Sequence, residues 1–213
     1  MIAGGPTPSL VAVLDYGIGN LASAQKALVH VGADARLTAD AGVVADAAGV
    51  VLPGVGSFGP CMAALRATGL DQVALAALDS GVPFLGICVG MQLLYQGSDE
   101  SPGVAGLGAL AGTVRRLPGD VKRPQMQWNV LDVVGEPAMT VGLARPTWVY
   151  FVHSYAPEQA DHVVATCDYG GPVVAAVERG SLWATQFHPE KSGANGLGLL
   201  ANFVASLGPD AGR

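Results

Sequence analysis

The chain has 213 residues, of which 50% are hydrophobic and 13% are charged. This composition excludes a disordered chain, and the length suits one domain with a sizeable core. The formal net charge of −6 argues against binding to nucleic acid, whose phosphates need basic partners.

Membrane and metal-binding signals are weak in this sequence. No apolar run reaches the roughly 18 residues that a membrane-spanning helix needs. The first nine residues lack the basic start and apolar stretch of a signal peptide. The cysteines (Cys61, Cys88 and Cys167) are odd in number and widely spaced, which argues against a disulfide framework or a paired-cysteine zinc site. We therefore expect a cytoplasmic protein that binds no metal.

The first half of the sequence predicts alternating strands and helices. Short apolar runs predict strands at residues 10–14, 49–52 and 82–87, and residues 35–38 are a further strand candidate. Leu21, Ala24 and Leu28 recur at helical spacing, which predicts a helix that begins near Asn20 and ends before Gly32. Further helical stretches are predicted up to about residue 80 and over residues 91–95.

The second half is richer in strand signals. Short β-like runs lie at residues 113–117 and 130–134, and four closer strand candidates follow at residues 148–152, 163–167, 173–178 and 182–187. A terminal helix is predicted over residues 194–206. The order predicts a single α/β domain over residues 10–207, with a mostly parallel or mixed central sheet flanked by helices and a late antiparallel extension. Residues 1–9 and 208–213 are predicted to be flexible tails.

The strongest local signal is a cysteine between a predicted strand and a predicted helix, in Gly-Ile-Cys-Val-Gly at residues 86–90. This is the nucleophile-elbow pattern with cysteine in place of serine. The helix N-terminus favours a thiolate at Cys88, and the Val89 N–H points to where an oxyanion would form. The alternative is a buried structural cysteine, the role that we expect for Cys61 and Cys167.

A cysteine nucleophile needs a base, and His188 is the best placed histidine. It follows a predicted strand and precedes Pro189, which favours an extended backbone at His188. Residues two apart on an extended chain lie on one face, so Glu190 can reach the imidazole and fix its tautomer. These groups satisfy the requirements of a catalytic triad, although a capped turn explains His-Pro-Glu alone equally well. His153, at another predicted strand end, is a candidate for substrate contacts or for plain hydrogen bonding.

A glycine-rich loop follows the predicted strand at residues 49–52. Glycines on both sides of Val55 leave its peptide free to rotate, so the Val55 N–H is a candidate second oxyanion donor. An ordinary turn between a strand and a helix is the alternative.

A second glycine-rich turn suggests different chemistry. Residues 17–22 fit the dinucleotide-binding fingerprint, and Asp40 lies near the position of the ribose-binding acid. This match leaves the elbow cysteine and the His-Pro-Glu segment unexplained. A nucleotide-binding oxidoreductase is therefore the weaker hypothesis.

Gly-Ile-Cys-Val-Gly-Met-Gln-Leu-Leu at residues 86–94, together with Gln-Phe-His-Pro-Glu at residues 186–190, resembles the class I (triad) glutamine amidotransferases. Segments at residues 15–21, 53–58, 126–129 and 150–155 narrow the resemblance to the glutaminase subunits of imidazole glycerol phosphate synthase. The resemblance spans about residues 11–204. One segment departs from the family pattern, because His-Met-Gly-Trp-Asn is replaced by Gln-Met-Gln-Trp-Asn at residues 125–129.

The resemblance implies the reaction and the residues that carry it. Cys88 attacks the amide carbon of L-glutamine, while His188 activates the thiol and then protonates the departing ammonia. Glu190 orients His188, and the N–H groups of Val55 and Val89 form the oxyanion hole. The residues that match the surroundings of glutamine, with Glu100 as the partner of its α-ammonium, are Gly54, Gly56, Gly90, Gln92, Glu100, His153, Ser154 and Tyr155.

The resemblance also implies a partner and no cofactor. A (β/α)8 cyclase subunit would form a heterodimer with the chain and use the ammonia to make imidazole glycerol phosphate and an aminoimidazole carboxamide ribotide in histidine biosynthesis. The residues on segments that resemble the interface are Asn20, Trp128, Asn129 and Lys191. Two other hypotheses stay open: another class I amidotransferase or cysteine-nucleophile hydrolase that needs no cyclase, and a catalytically silent regulatory subunit.

Overall fold

The computed structural model describes residues 7–158 and 161–208. The predicted tails, residues 1–9 and 208–213, therefore lie largely outside the described residues, and their flexibility stays a prediction.

The first half alternates strands and helices as the sequence predicts. Its elements are β1 (Leu10–Leu14), α1 (Leu21–His30), β2 (Asp34–Thr38), α2 (Ala41–Ala45), β3 (Gly49–Gly54), α3 (Phe58–Ala67), α4 (Leu70–Ser80), β4 (Phe84–Cys88) and α5 (Val89–Leu93). The β3 and β4 residues are all buried, which explains their nearly continuous apolar sequence. Gly69, with a φ of 72°, separates α3 from α4, because a left-handed residue ends a helix. In the described part of the chain no single helix could cross a membrane, and only α3 and α4, bent by 90° at their junction, have the length and hydropathy together.

The second half contains mostly short strands. Its elements are β5 (Gly97–Ser98), β6 (Thr113–Arg116), β7 (Gln125–Val130), β8 (Asp132–Val133), β9 (Trp148–His153), β10 (Tyr155–Pro157), β11 (Val163–Asp168), β12 (Pro172–Arg179), β13 (Leu182–Thr185) and α6 (Gly193–Ser206), with 3₁₀ turns at Ala138–Thr140 and Pro189–Lys191. The predicted strand over residues 130–134 is wrong as a single element. The structure divides it between the end of β7 and β8. Most of β7 could not be predicted from apolar runs, because the strand contains several polar residues.

Within residues 7–158 and 161–208, eight strands form the central sheet in the order β2-β1-β3-β4-β13-β12-β11-β8. The first five strands of this order are parallel, and the other three continue the sheet antiparallel. This confirms the predicted α/β fold with a mixed sheet and a late antiparallel extension. Because parallel strands share one carboxyl edge, the chain segments that follow β3, β4 and β13 meet there.

Candidate active site

Cys88 lies at the junction of β4 and α5 in an unusual backbone conformation. Its φ is 55° and its ψ is −112°, a region that costs an ordinary residue about 1–3 kcal/mol. Glycines permit the tight turn, because a Cβ at Gly90 would lie 1.8 Å from the carbonyl oxygen of Leu52 in β3. A Cβ at Gly86 would likewise lie 2.9 Å from Leu94 Cδ1. The helix therefore packs closely on the sheet and leaves Cys88 at its N-terminus.

His188 and Glu190 form a buried pair beside this turn. His188 Nδ1 lies 2.8 Å from Glu190 Oε1, and the two side chains are 3% and 4% exposed. His188 has the extended backbone that the sequence predicts, with φ of −98° and ψ of 99°. The chain then turns, and the 3₁₀ turn at Pro189–Lys191, in place of a continued extended chain, brings Glu190 to the ring. The His188 N–H donates to the Tyr150 carbonyl at 3.0 Å, and the Ser192 hydroxyl donates to the His188 carbonyl at 2.6 Å. The imidazole is thus fixed through both its backbone and its ring.

The protonation of His188 differs from that of an ordinary histidine. Burial alone would lower the pKa of His188, but its hydrogen bonds with Cys88 and Glu190 and the negative charges of both groups outweigh burial and raise the pKa to about 9. The imidazole therefore carries a proton at neutral pH. The other cysteines have no such partner: burial raises the pKa of Cys61, and it raises the pKa of Cys167 to about 11. Both stay thiols at neutral pH.

A cavity of about 360 Å³ opens beside Cys88 and His188. The cavity wall brings together most of the residues singled out from the sequence: Val55, Gly56, Cys88, Val89, Gln92, Glu100, His153, Ser154, Tyr155, His188 and Lys191. Pro124 and Val152 also line it, and neither is among the predicted site residues. Gly54 and Gly90 lie behind the wall, where a Cβ at Gly54 would lie 2.8 Å from the Gly90 nitrogen. These two glycines shape the site without lining it.

The polar groups of the wall are held by specific hydrogen bonds. Glu100 Oε2 accepts the Phe58 N–H at 2.8 Å, at the beginning of α3. Burial lowers the pKa of His153 to about 4, so the ring is neutral, and its Nδ1 lies 2.9 Å from the Tyr155 carbonyl oxygen. His153 Nε2 is buried and has no hydrogen-bond partner within the described residues. Gln92 Nε2 donates to the same Tyr155 carbonyl at 2.9 Å.

The loop that follows β3 is anchored on both sides of its Gly54–Val55 peptide. The Tyr16 hydroxyl donates to the Pro53 carbonyl at 2.7 Å, and the Cys61 thiol donates to the Val55 carbonyl at 3.2 Å. Neither contact could be predicted from the sequence, because both join segments that are distant along the chain or separated by a turn.

The turn at residues 17–22, which fits a dinucleotide fingerprint, lies against the buried pair. Asn20 lines a small cavity of about 10 Å³ together with His188 and Glu190. Asn20 itself is exposed, and its Oδ1 accepts the Ser23 hydroxyl at 2.9 Å. Of this turn, Asn20 therefore lies beside the His–Glu pair.

β7 and β9 form an antiparallel ribbon with two different faces. One face is buried in the core through Gln125, Val149, Phe151 and His153. The opposite face, called the ribbon face below, consists of Met126, Trp128, Val130, Trp148, Tyr150 and Val152. On it Met126, Trp128 and Trp148 are 62%, 47% and 48% exposed. Asn129 lies on the core side of the ribbon, where its Nδ2 donates to the Asp168 carbonyl at 2.9 Å.

The site has the features of an enzyme with a cysteine nucleophile. Cys88 lies on a strand-to-helix elbow of a mixed α/β sheet, beside a buried His–Glu pair. The family model described as "Glutamine amidotransferase class-I" matches residues 12–207, and the chain belongs to this family. A solved glutamine amidotransferase structure is 21% identical, with a TM-score of 0.72 over 95% of this chain and 99% of that chain. The structure of PurLQS from Thermotoga maritima is 19% identical, with a TM-score of 0.72 over 94% of this chain and 100% of that chain. These two structures show the shared fold.

Closer relatives narrow the class. The imidazole glycerol phosphate synthase subunit HisH of Deinococcus radiodurans is 48% identical over 93% of this chain and 94% of that protein. The HisH subunits of Thermobifida fusca and Methanothermobacter thermautotrophicus are each 48% identical over 92% of this chain and 98% of those proteins. Within the class-I glutamine amidotransferases, the chain therefore belongs to the HisH family of imidazole glycerol phosphate synthase subunits. The hypothesis of a nucleotide-binding oxidoreductase is wrong.

Proposed function

We propose that this chain is the glutaminase subunit of imidazole glycerol phosphate synthase, that it hydrolyses L-glutamine to L-glutamate and ammonia, and that it supplies the ammonia to a (β/α)8 cyclase subunit. The observation that carries the proposal is that Cys88 and His188 lie together at the wall of a cavity of about 360 Å³, with the buried Glu190 carboxylate against the His188 ring. Membership of the HisH family supports the same reaction.

Cys88 acts as the nucleophile in the first half of the reaction. Its thiolate attacks the side-chain amide carbon of glutamine, a C–S bond forms, and the amide oxygen becomes an oxyanion. His188, protonated below about pH 9, gives its proton to the amide nitrogen as the C–N bond breaks. Ammonia leaves, and a γ-glutamyl thioester remains on Cys88.

The second half of the reaction regenerates the Cys88 thiolate and the protonated His188. His188, now neutral, takes a proton from a water molecule that attacks the thioester carbon, and the C–S bond breaks to release glutamate. Glu190, 2.8 Å from His188 Nδ1, holds the ring in orientation and stabilises its positive charge.

Backbone N–H groups stabilise the oxyanion. The Val89 N–H lies at the beginning of α5, directly after the nucleophile, as in other nucleophile elbows. Val55 lines the same cavity and supplies the second N–H. The Tyr16 and Cys61 anchors fix the neighbouring carbonyls, so rotation of the Gly54–Val55 peptide is the movement that sets this donor.

The remaining polar groups of the cavity bind the amino-acid end of glutamine. Glu100 is the partner of the α-ammonium, because a carboxylate that already accepts one N–H keeps further acceptor sites. His153 offers the lone pair of its unpartnered Nε2 as an additional acceptor. Gln92, Ser154 and Tyr155 complete the wall together with Gly56, and Gly54 and Gly90 permit the close approach of α5 to β3.

The ribbon face is the docking surface for the cyclase. Large apolar side chains are exposed on it, while the opposite face of the ribbon is already part of the core. Val152 belongs to both the ribbon face and the cavity wall, so a partner on this face reaches the mouth of the site. Lys191, also at the cavity, and the exposed Asn20 are proposed as rim contacts. Asn129 supports the ribbon from behind through its bond to Asp168.

The same function implies a cytoplasmic location. Cys61, Cys88 and Cys167 are all free thiols, which suits a reducing compartment.

Glutamine hydrolysis, measured for the purified chain alone and with its (β/α)8 cyclase subunit, tests the proposal. We expect low activity alone and strong activation in the complex. Trp128→Ala should weaken cyclase binding about 30-fold, because a central aromatic anchor contributes about 2 kcal/mol. Val141→Ala is the matched control: Val141 is 63% exposed but lies outside the ribbon face, and its loss should leave cyclase binding unchanged.

Two results would contradict the proposal in different ways. High activity of the chain alone, unchanged by the cyclase, would point to an amidotransferase or hydrolase that needs no such partner. Binding of the cyclase without glutamine hydrolysis in any condition would point to a silent regulatory subunit.

A further inference from the structure

Gln186 is a fully buried polar side chain in direct contact with the nucleophile. It follows β13 and precedes His188 by two residues, and its exposed fraction is 0%. Its Nε2 lies 3.7 Å from Cys88 Sγ, within hydrogen-bond distance for sulfur. Its Oε1 accepts a hydrogen bond from Gln92 Nε2 at 3.0 Å.

The hydrogen-bond network fixes which end of the Gln186 amide faces the sulfur. The Tyr155 carbonyl can only accept, so the Gln92 group 2.9 Å from it must be the NH₂. The same NH₂ reaches Gln186, which must therefore present its oxygen to Gln92. The Gln186 NH₂ then points at Cys88 Sγ. The Tyr155 carbonyl thus fixes the orientation of the Gln92 amide, which in turn fixes the orientation of the Gln186 amide.

The Gln186 amide is thus a donor to Cys88 Sγ, in addition to the interaction of Cys88 with His188 that raises the pKa of the imidazole. A hydrogen bond to an ionised acceptor is roughly twice as strong as one between neutral groups. An amide N–H aimed at the sulfur therefore favours the thiolate over the thiol. It also restricts the direction of Sγ, which the strained elbow backbone alone does not do.

We propose that Gln186 is a positioning residue that stabilises the Cys88 thiolate and fixes the direction of Sγ, and that Gln92 holds Gln186 in the required orientation. The inference rests on the proposed role of Cys88 as the nucleophile. It extends that role to a residue that contributes neither to the triad nor to the lining of the cavity.

Alkylation of Cys88 by iodoacetamide as a function of pH tests this inference, with the modified residue identified by peptide mapping. In Gln186→Leu the midpoint of the alkylation profile should move upward by roughly one pH unit, which corresponds to the loss of one charge-assisted hydrogen bond. In Gln186→Glu, which keeps the shape but places a carboxylate oxygen against the sulfur, the midpoint should move upward at least as far. In the complex with the cyclase, kcat for glutamine should fall about tenfold in Gln186→Leu, with little change in KM.

Thr185→Val is the matched control, because Thr185 is buried in the same segment and its hydroxyl donates to the Phe187 carbonyl at 3.1 Å. Its profile should match that of the wild type. An unshifted alkylation profile in folded Gln186→Leu or Gln186→Glu protein would overturn the inference. If Gln186→Leu does not fold, the alkylation profile of the isosteric Gln186→Glu decides the test. The alkylation assay needs no glutamine turnover, so a chain without glutaminase activity would refute the proposed function separately.

Discussion

Replacement of Cys88 by alanine should abolish glutamine hydrolysis, with a loss in kcat on the order of 10⁶-fold, the size seen when the nucleophile of a triad is removed. Without Sγ no thioester can form. Water that enters the cavity of the variant is a much weaker nucleophile than the thiolate and cannot replace it. The variant should keep its fold, because the glycines at positions 86 and 90 that permit the elbow are unchanged. It should also bind the cyclase normally, since Cys88 is 3% exposed and lies outside the ribbon face.

Cys167→Ala is the control for this variant. Cys167 is a buried free thiol like Cys88, but it contacts Gln125 Nε2 at 3.8 Å and does not line the cavity. Its loss should leave turnover close to that of the wild type. Wild-type hydrolysis by Cys88→Ala would refute the mechanism.

Glu190→Gln should lower kcat/KM for glutamine by about 10²–10⁴-fold, less than the loss of Cys88, because the change disturbs the base and leaves the nucleophile. The variant should also change the pH dependence. In the wild type the pKa of His188 is raised to about 9, so the proton that ammonia requires is present below pH 9 and is lost above it. Without the charge of Glu190 this pKa falls, and the high-pH limb of the kcat/KM profile should move to lower pH.

The matched control is Glu136→Gln, which removes an exposed carboxylate in the loop after β8 that is not part of the cavity wall. Its activity and its high-pH limb should be those of the wild type. A Glu190→Gln profile whose limb stays at pH 9 would show that Glu190 does not set the protonation of His188.

Most of the parallel half of the sheet could be predicted from the sequence because its strands other than the edge strand β2 are buried on both faces. Such strands have continuous apolar runs, and β1 spans the predicted residues 10–14. The elbow is also recognisable, because the close approach of α5 to β3 demands small residues at fixed positions around Cys88. Local rules of this kind leave a signal in the sequence itself.

The contacts that complete the site depend on tertiary structure and leave no such signal. β7 escapes prediction because its alternation places polar Gln125 in the core and apolar Met126 in solvent, the reverse of the usual pattern. Tyr16 and Gln186 contact Pro53 and Cys88, which are 37 and 98 residues away along the chain. A 3₁₀ turn joins His188 to Glu190. Pro189 is compatible with the first position of such a turn, but the proline alone does not predict the turn.

The central claim is that a γ-glutamyl thioester forms on Cys88, and an acid-quench experiment tests it most directly. The complex with the cyclase would be mixed with glutamine, quenched in acid during turnover and analysed by mass spectrometry with peptide mapping. We expect a γ-glutamyl adduct on the peptide that contains Cys88, and none on the peptides that contain Cys61 or Cys167. An adduct on either of those residues, or steady turnover without any adduct under conditions that trap thioesters, would contradict the account.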